Sequence, residues 1–309
     1  MTPAPRLSIV IVSYNGGRLV LDCLQSIRDN PPDQPFEAIV VDNASRDRSA
    51  DDIAARFPEV RLLRLPKNLG LTGGFNAGLR EARGDLVLSL DSDTEVRPGA
   101  IDLILATMES DPTIGACGAT LIYPDGTPQR TARRFPHPMN GLFGRRSVLT
   151  RVFPDNRFSR RYLMSEHESD TDPYDVDTLS TACMMIGRPV VEQVGGYDEG
   201  FFVYWSDTDW CRRIKLAGWR ILSVPQSVVV HNENLKARHR AGRRVRMIMD
   251  FHQGAYRYFR KHHVRSALSP LNLIAIAGLG GRAALLLAAD EIRILRQRVR
   301  ERLLPGSAV

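Results

Sequence analysis

Hydrophobic and polar positions along the first hundred residues fall into alternating strand and helix patterns. Leu7–Val12 is an almost continuous apolar run, as expected for a strand buried on both faces. Arg18–Asp29 then carries Leu21, Leu24 and Ile27 at helical spacing. Ala38–Val41 reads as the next strand and stops at Asp42. Ser49-Ala50-Asp51-Asp52 resembles a helix N-cap with acids behind it. Val60–Leu65 is a third strand, Gly73–Arg83 a helix and Asp85–Leu90 a fourth strand. Pro98 opens a helix over Ile101–Glu109, a place where proline is favoured. This alternation predicts an α/β domain whose mostly parallel sheet carries helices on both faces. Ligands in such sheets bind beyond the carboxyl ends of the strands. Tyr14-Asn15, Asp42-Asn43 and Asp91-Ser92-Asp93 all follow predicted strands, so they are expected at one edge.

From Tyr123 to Asp177 the periodicity lapses, and Glu166–Asp177 is acidic. Long loops with short elements are expected there, facing an acceptor or forming a lid. Regular pattern returns at Ala182–Ile186, followed by a short helix around Pro189–Val194. Another helix is predicted over Asp207–Ala217, closed by Gly218, and Arg220–Val230 supplies one or two strands ending at His231. The tail differs. Lys236–His263 reads as a long basic helix with aromatics among its arginines. Leu271–Ala289 is apolar but is interrupted by Gly278, Gly280, Gly281 and Arg282, so a membrane-crossing helix is not the expectation. Glu291–Leu304 reads as a basic amphipathic helix that lies on a membrane surface or packs on a partner subunit, giving a homo-oligomer. The predicted division is 1–232 for the α/β domain and 233–309 for the helical tail.

Charge sharpens that division. Asn232 to Val309 holds 16 Lys and Arg against 5 Asp and Glu, a net +11, while Met1 to His231 nets −4. A basic tail on a slightly acidic body points to an anionic membrane surface rather than to nucleic acid. Four well-separated cysteines, Cys23, Cys117, Cys183 and Cys211, form no CxxC pair, which argues against zinc and disulfides and for a reducing compartment. Leu7–Val12 is too short for a signal peptide. The expected location is therefore the cytoplasm, peripheral at the inner face of the membrane.

The most informative chemistry is Asp91-Ser92-Asp93. Two carboxylates at the end of a buried strand, with no cation between them, concentrate negative charge. Hard oxygen ligands at this density suit Mg2+ or Mn2+, and such a metal is most useful beside a diphosphate. A solvated Asp-rich turn or a helix cap is the plain alternative for a lone pair of this kind.

Four segments read together change the odds: Ser8-Ile9-Val10-Ile11-Val12-Ser13-Tyr14-Asn15; Val41-Asp42-Asn43-Ala44-Ser45-Arg46-Asp47; Asn68-Leu69-Gly70 through Gly74-Phe75-Asn76-Ala77-Gly78 to Asp91-Ser92-Asp93; and Gly195-Gly196-Tyr197-Asp198-Glu199-Gly200-Phe201-Phe202 with Asp207-Thr208-Asp209-Trp210-Cys211-Arg212-Arg213. In this order the chain resembles the family 2 glycosyltransferases of GT-A fold, most of all the bacterial rhamnosyltransferase-type and galactofuranosyltransferase-type enzymes. The resemblance spans about residues 6–232. It implies a Rossmann-like GT-A nucleotide-diphospho-sugar transferase fold followed by the helical tail.

The resemblance also implies roles. Tyr14, between Ser13 and Asn15, matches the tyrosine that stacks on the nucleotide base. Asp42 matches the aspartate that accepts the pyrimidine imide N–H, favouring uracil or thymine. Asn68, Gly70 and Asn76 match a loop and helix start near the nucleotide, although a simple helix entry uses the same residues. Asp93 matches the metal ligand, Asp91 the ribose or metal partner, and His231 a histidine that completes the metal shell in some relatives. Asp207 matches the catalytic base, with Asp209 and Arg212 as support, Arg212 pairing with Asp209 at i, i+3. Inverting transfer needs one such carboxylate to take the acceptor proton.

Ser206 stands where the family usually has glutamate, and Thr181-Ala182 replaces a usual Gly-Ala pair, which leaves the acceptor open. No QxxRW-like motif is visible, so single-sugar addition is expected over polymer extrusion. The implied reaction is transfer of rhamnose from dTDP-rhamnose to a hydroxyl of a glycan, or of a polyprenyl-diphosphate-linked acceptor in cell-wall or polysaccharide biosynthesis. A UDP-sugar donor of galactofuranose, glucose or GlcNAc type is the alternative. A sugar-nucleotide nucleotidyltransferase would carry a glycine-rich N-terminal loop with Arg or Lys, to which Asn15-Gly16-Gly17-Arg18 is a faint match. A non-catalytic scaffold would not need Asp91, Asp93 and Asp207 intact.

Overall fold

A computed structural model describes residues 4–136, 157–167, 169–233, 241–264, 266 and 268–303. Its first compact unit comprises residues up to Glu199 together with Asp207–Glu233, and its second comprises Gly200–Ser206 with the C-terminal residues from 234 onward.

The first unit is built on β1 (Leu7–Ser13), α1 (Gly17–Asp29), β2 (Phe36–Asp42), α2 (Ser49–Arg56), β3 (Arg61–Arg64), α3 (Gly70–Glu81), β4 (Leu86–Asp91), β5 (Thr94–Val96), α4 (Ala100–Ser110) and β6 (Ile114–Ile122). After these come α5 (Arg157–Tyr162), β7 (Tyr174–Asp175), β8 (Cys183–Gly187), α6 (Arg188–Val194), α7 (Ser206–Leu216) and β9 (Arg220–His231). One nine-stranded sheet runs β3-β2-β1-β4-β8-β6-β9-β5, with β7 paired to β9.

Alternation along β1 splits the interior into two layers, as strand geometry requires. Leu7, Ile9 and Ile11 enter one layer with Leu21, Leu24 and Ile27 of α1 and Ile101, Ile104 and Leu105 of α4. Val10 enters the other with Phe75 and Leu79 of α3 and Trp210 and Ile214 of α7. Helix α3 lies close against the sheet: a Cβ on Gly78 would stand 2.5 Å from Val10 Cγ1 and 3.0 Å from Val41 Cγ2. Helices therefore cover both faces, as expected. All four cysteines are free and buried, and burial pushes the thiols of Cys117, Cys183 and Cys211 up to about 12.

The sheet is mixed rather than mostly parallel. The strands β3, β2, β1 and β4 pair in parallel. β8 then runs antiparallel to both β4 and β6. The physical reason is its connection. The sequence before β8 shows no helical periodicity of the kind a parallel crossover needs, so nothing in it constrains β8 to the parallel sense. β9 is one strand with a register shift opposite Ala119 and Thr120, which leaves Pro225 outside the ladder. Residues 137–156, within the irregular stretch expected to face the acceptor, lie outside the described residues.

The second unit contains α8 (Ala241–His263) and α9 (Pro270–Leu303). Residues 236–240, the expected start of the basic helix, lie outside the described residues. Within the unit, Tyr204 N–H donates to Asp250 Oδ2 at 3.1 Å, and the Trp205 ring lies 5.7 Å from Phe251 and 5.4 Å from Tyr258. The interruption expected at Gly278, Gly280 and Gly281 does not occur. Glycine weakens a helix but leaves its hydrogen bonds intact, and α9 continues through all three. Residues Pro270–Arg296 are long and apolar enough to cross a membrane.

Candidate active site

The acidic pair sits where β4 hands over to β5. Thr94 Oγ1 donates to the Asp91 carbonyl at 2.7 Å and tightens the turn. β5 pairs antiparallel with the end of β9, placing Thr94 opposite His231, and Asn232 N–H donates to the Asp93 carbonyl at 2.8 Å. This register brings His231 Nε2 to 3.6 Å from Asp91 Oδ2 and 3.6 Å from Asp93 Oδ1. One donor atom from each of the three lies within 4.8 Å of the others. Asp93 and His231 are nearly closed off, at 5% and 10% side-chain exposure, whereas Asp91 keeps 29% and marks the open side.

Gln129 fixes the imidazole. Its Nε2 donates to the His231 carbonyl at 2.7 Å, and its Oε1 lies 2.8 Å from His231 Nδ1. Nδ1 thereby carries a proton, and Nε2 faces the carboxylates, where it shares a proton with Asp93 or offers its lone pair to a cation that takes the proton's place. Burial alone lowers the His231 pKa. Hydrogen bonding to Asp93 and the charges of Asp91, Asp93 and Glu233 outweigh it and raise the value. A place that draws a proton so strongly also draws a cation. Two carboxylates and one imidazole form a donor set that suits Mg2+ or Mn2+.

Beside this cluster, the ends of β1 and β2 form a second arrangement. Asn15 adopts a left-handed φ of 50° and ties the two loops together. Its Oδ1 accepts from Arg46 N–H at 2.7 Å and its own N–H donates to Ser45 Oγ at 2.9 Å. Tyr14 projects from this tie with 43% of its surface exposed. Asp42 is buried, with Oδ1 accepting from Ser45 N–H at 3.1 Å. Ser13 Oγ is buried with no hydrogen-bond partner among the described residues. An orphaned polar atom at a strand end suits a ligand that supplies the missing bond.

The loop before α3 is held from within the protein. Asn43 donates to the Gly70 carbonyl at 2.7 Å and accepts from Leu69 N–H at 2.8 Å, and Asn68 Oδ1 accepts from Gly70 N–H at 2.8 Å. Gly70 has φ +75°, which a side chain would strain. Asn76, expected near the nucleotide, instead joins α3 to the stretch before Glu199. Its Nδ2 donates to the Tyr197 carbonyl and its Oδ1 accepts from Tyr197 N–H, both at 2.9 Å. Those bonds account for an asparagine there without a nucleotide.

Asp207 occupies the first turn of α7, where the helix dipole favours a carboxylate. Its Oδ1 accepts from Thr208 N–H at 2.7 Å. Arg133 approaches Oδ2 at 4.0 Å. The Tyr197 phenol is raised well above the usual tyrosine range, first by burial and then by the charges of Asp207 and Asp91. Both carboxylates thus act on one buried hydroxyl, which places the start of α7 and the acidic turn around the same region. The pairing expected between Asp209 and Arg212 at i, i+3 is met one residue later: Arg213 Nε lies 3.0 Å from the fully buried Asp209. Arg213 also donates to the carbonyls of Val194 and Gly196, anchoring α7 to the glycine turn. Arg212 lies 5.5 Å over the Phe135 ring.

Gln129, Arg133, Asn43 and Arg213 were not among the residues singled out from sequence. Asn43 and Arg213 lay within the motif segments, beside Asp42 and Arg212, without a role of their own. Gln129 and Arg133 lie in the aperiodic stretch and meet His231 and Asp207 only through the fold.

Residues 8–195 match the glycosyl transferase family 2. The N-acetylglucosaminyl-diphospho-decaprenol L-rhamnosyltransferase of Mycobacterium tuberculosis is 29% identical over 306 residues, covering 95% of this chain and 97% of that one. Among solved structures, a mannosyltransferase from Pyrobaculum calidifontis in complex with GDP-Man and Mn2+ superposes with a TM-score of 0.56 at 20% identity, covering 95% of this chain and 81% of the other. GalNAc-T7 with UDP, GalNAc and Mn2+ gives 0.56 at 19% identity over 74% of this chain and 43% of the other. These likenesses identify the mixed sheet as a GT-A fold. With the acidic turn at its expected sheet edge and a family match over most of the α/β unit, the chain belongs to glycosyl transferase family 2 and is a glycosyltransferase.

Proposed function

We propose that this enzyme transfers rhamnose from dTDP-rhamnose, with inversion and with a divalent cation, to a hydroxyl of a lipid-linked glycan. The observation that carries the reading is the division of labour at one sheet edge. Asp91, Asp93 and His231 form a cation-competent cluster, while Asp207 stands on another element as a separate carboxylate. Full-length likeness to an L-rhamnosyltransferase acting on a decaprenyl-diphosphate sugar supports the donor sugar and the acceptor class.

In this reading Tyr14 stacks on the base and Asp42 accepts its imide N–H. Ser13 Oγ gains a partner when the nucleotide binds. Asp93 and His231 would hold Mg2+ or Mn2+, with Asp91 sharing it or the ribose, and the metal would supply charge neutralisation for the diphosphate. Gln129 keeps the His231 Nε2 lone pair aimed at that position. Asp207 takes the proton from the acceptor hydroxyl as its oxygen bonds to the anomeric carbon. The bond to the nucleoside diphosphate breaks on the opposite side, which inverts the centre. Arg213 and the buried Asp209 hold α7, and so the base, in position.

Asp42 recognises an imide that thymine and uracil share, so a UDP-sugar is the second reading. Calorimetry with dTDP, UDP and GDP, each with Mn2+, Mg2+ or a chelator, separates the two. Tightest binding of dTDP, dependent on cation and lost in Asp93→Ala, is the expected result. Binding indifferent to both the cation and that substitution overturns the proposal, and preference for UDP moves it to the second reading.

A further inference from the structure

We propose that α9 lies in the plane of a lipid bilayer surface with its outward apolar face immersed, making the enzyme a monotopic membrane protein. The inference stands on the helix itself and not on the donor or acceptor.

Polarity along Pro270–Asp290 is inverted relative to a helix in water. Leu273, Ile274 and Leu285 point outward, at 63%, 66% and 74% exposure. Two polar side chains turn inward instead. Asn272 and Asp290 are 4% and 2% exposed. Asn272 Oδ1 accepts from Tyr256 Oη at 3.0 Å on α8. Arg282 folds back onto α8, where it lies 3.2 Å from His252 Nε2 and over the Phe251 ring. His252 Nδ1 is 2.7 Å from the Ile248 carbonyl, which leaves Nε2 as the acceptor for that guanidinium. Apolar residues outward and polar residues turned toward the partner helix is the arrangement a helix adopts against hydrocarbon.

Charge decides which apolar environment this is. Arg260, Lys261, His262 and His263 precede the apolar stretch, and Arg293, Arg296, Arg298, Arg300 and Arg302 follow it. Two copies packed through α9 bring these like charges together, whereas anionic headgroups complement both ends. The partner α8 decides the orientation. It runs beside α9 and carries Arg246, Arg257 and Arg260, whose charges hydrocarbon excludes. The apolar stretch is long enough to cross, about 30 Å for twenty residues, but with α8 attached it rests along the interface.

The test is flotation of the full-length protein with vesicles of phosphatidylcholine, with and without phosphatidylglycerol, in low and molar salt. Expected are flotation strengthened by phosphatidylglycerol and persisting in molar salt, and a drop of at least about tenfold in Ile274→Glu/Leu285→Glu. Both positions are exposed, so the circular dichroism of the variant stays unchanged. Bimane labels on Ile274→Cys, Leu285→Cys and Ile292→Cys, quenched by brominated lipids, should report one shallow depth. The proposal is overturned if the double variant floats like the parent, if molar salt abolishes flotation, or if quenching grades from shallow to deep as for a crossing helix. It is also overturned if sedimentation without lipid shows a dimer that the double variant dissolves.

Discussion

At the scale of single residues, Asp207 and the acidic turn are separable. Asp207→Asn keeps the acceptor for Thr208 N–H, so α7 should form as before. Nucleotide affinity should be unchanged while transfer falls about 10²- to 10⁴-fold, the usual worth of a positioned general base. Calorimetry beside a turnover assay reads both; retained turnover would assign the base elsewhere. Gln129→Leu tests the support of His231 and should weaken Mn2+ binding about 10- to 100-fold, measured by electron paramagnetic resonance. An unchanged affinity would show that the imidazole needs no orienting partner. The residues legible in the sequence are those next to each other or at strand ends: Asp91, Asp93, Asp42, Tyr14. Gln129 and His231 are 102 positions apart, and no local pattern announces a contact made by a loop folding under a strand. The Asp209 pairing was displaced by one residue because i+3 and i+4 are both neighbours on a helix, and burial of Asp209 selects the arginine that also reaches Val194 and Gly196.

At the scale of elements, apolar runs and helical spacing marked most strands and helices of the first unit to within a few residues, but not β5, β6, α5 or β7. What they did not carry was direction. A buried strand such as β8 reads the same whether parallel or antiparallel, and its partners lie far away in sequence. Glycines behaved in two ways that the sequence does not distinguish. Gly78 permits α3 to lie on β1 and β2, so Gly78→Ala should destabilise by about 1–3 kcal/mol through overpacking. Gly278 has open space around its would-be Cβ, and Gly278→Ala should stabilise α9 by up to about 1 kcal/mol. Urea unfolding of both variants, followed by circular dichroism, checks the opposite signs.

At the scale of the whole molecule, the fold class followed from strand–helix alternation and the function from four motifs in order. The tail followed from its charge, though the continuity of α9 did not, because glycine lowers helix propensity without removing a hydrogen bond. If the proposed site is correct, cation and nucleotide stabilise one folded state together. At a ligand concentration of 100 times Kd the gain is about 2.7 kcal/mol. Melting should therefore rise with Mn2+ and dTDP added jointly, and a chelator should return it to the level of the free protein. A rise from dTDP that ignores the chelator would contradict the shared site.

The pairing of β5 with β9 has a practical consequence. β5 is three residues long and stands last in the sheet order, and it is held from the far side by α1: Thr94 and Val96 are buried, and Val96 N–H donates to Ser26 Oγ at 2.9 Å. Asp93 before it and His231 opposite it are two jaws of a clasp. A cation between them would cross-link the turn after β4 to the end of β9, so that stripping it loosens the turn while the buried strand stays in place. Hydrogen exchange in the turn around Asp93 and at the end of β9, followed by mass spectrometry, should then run faster in a chelating buffer than with manganese.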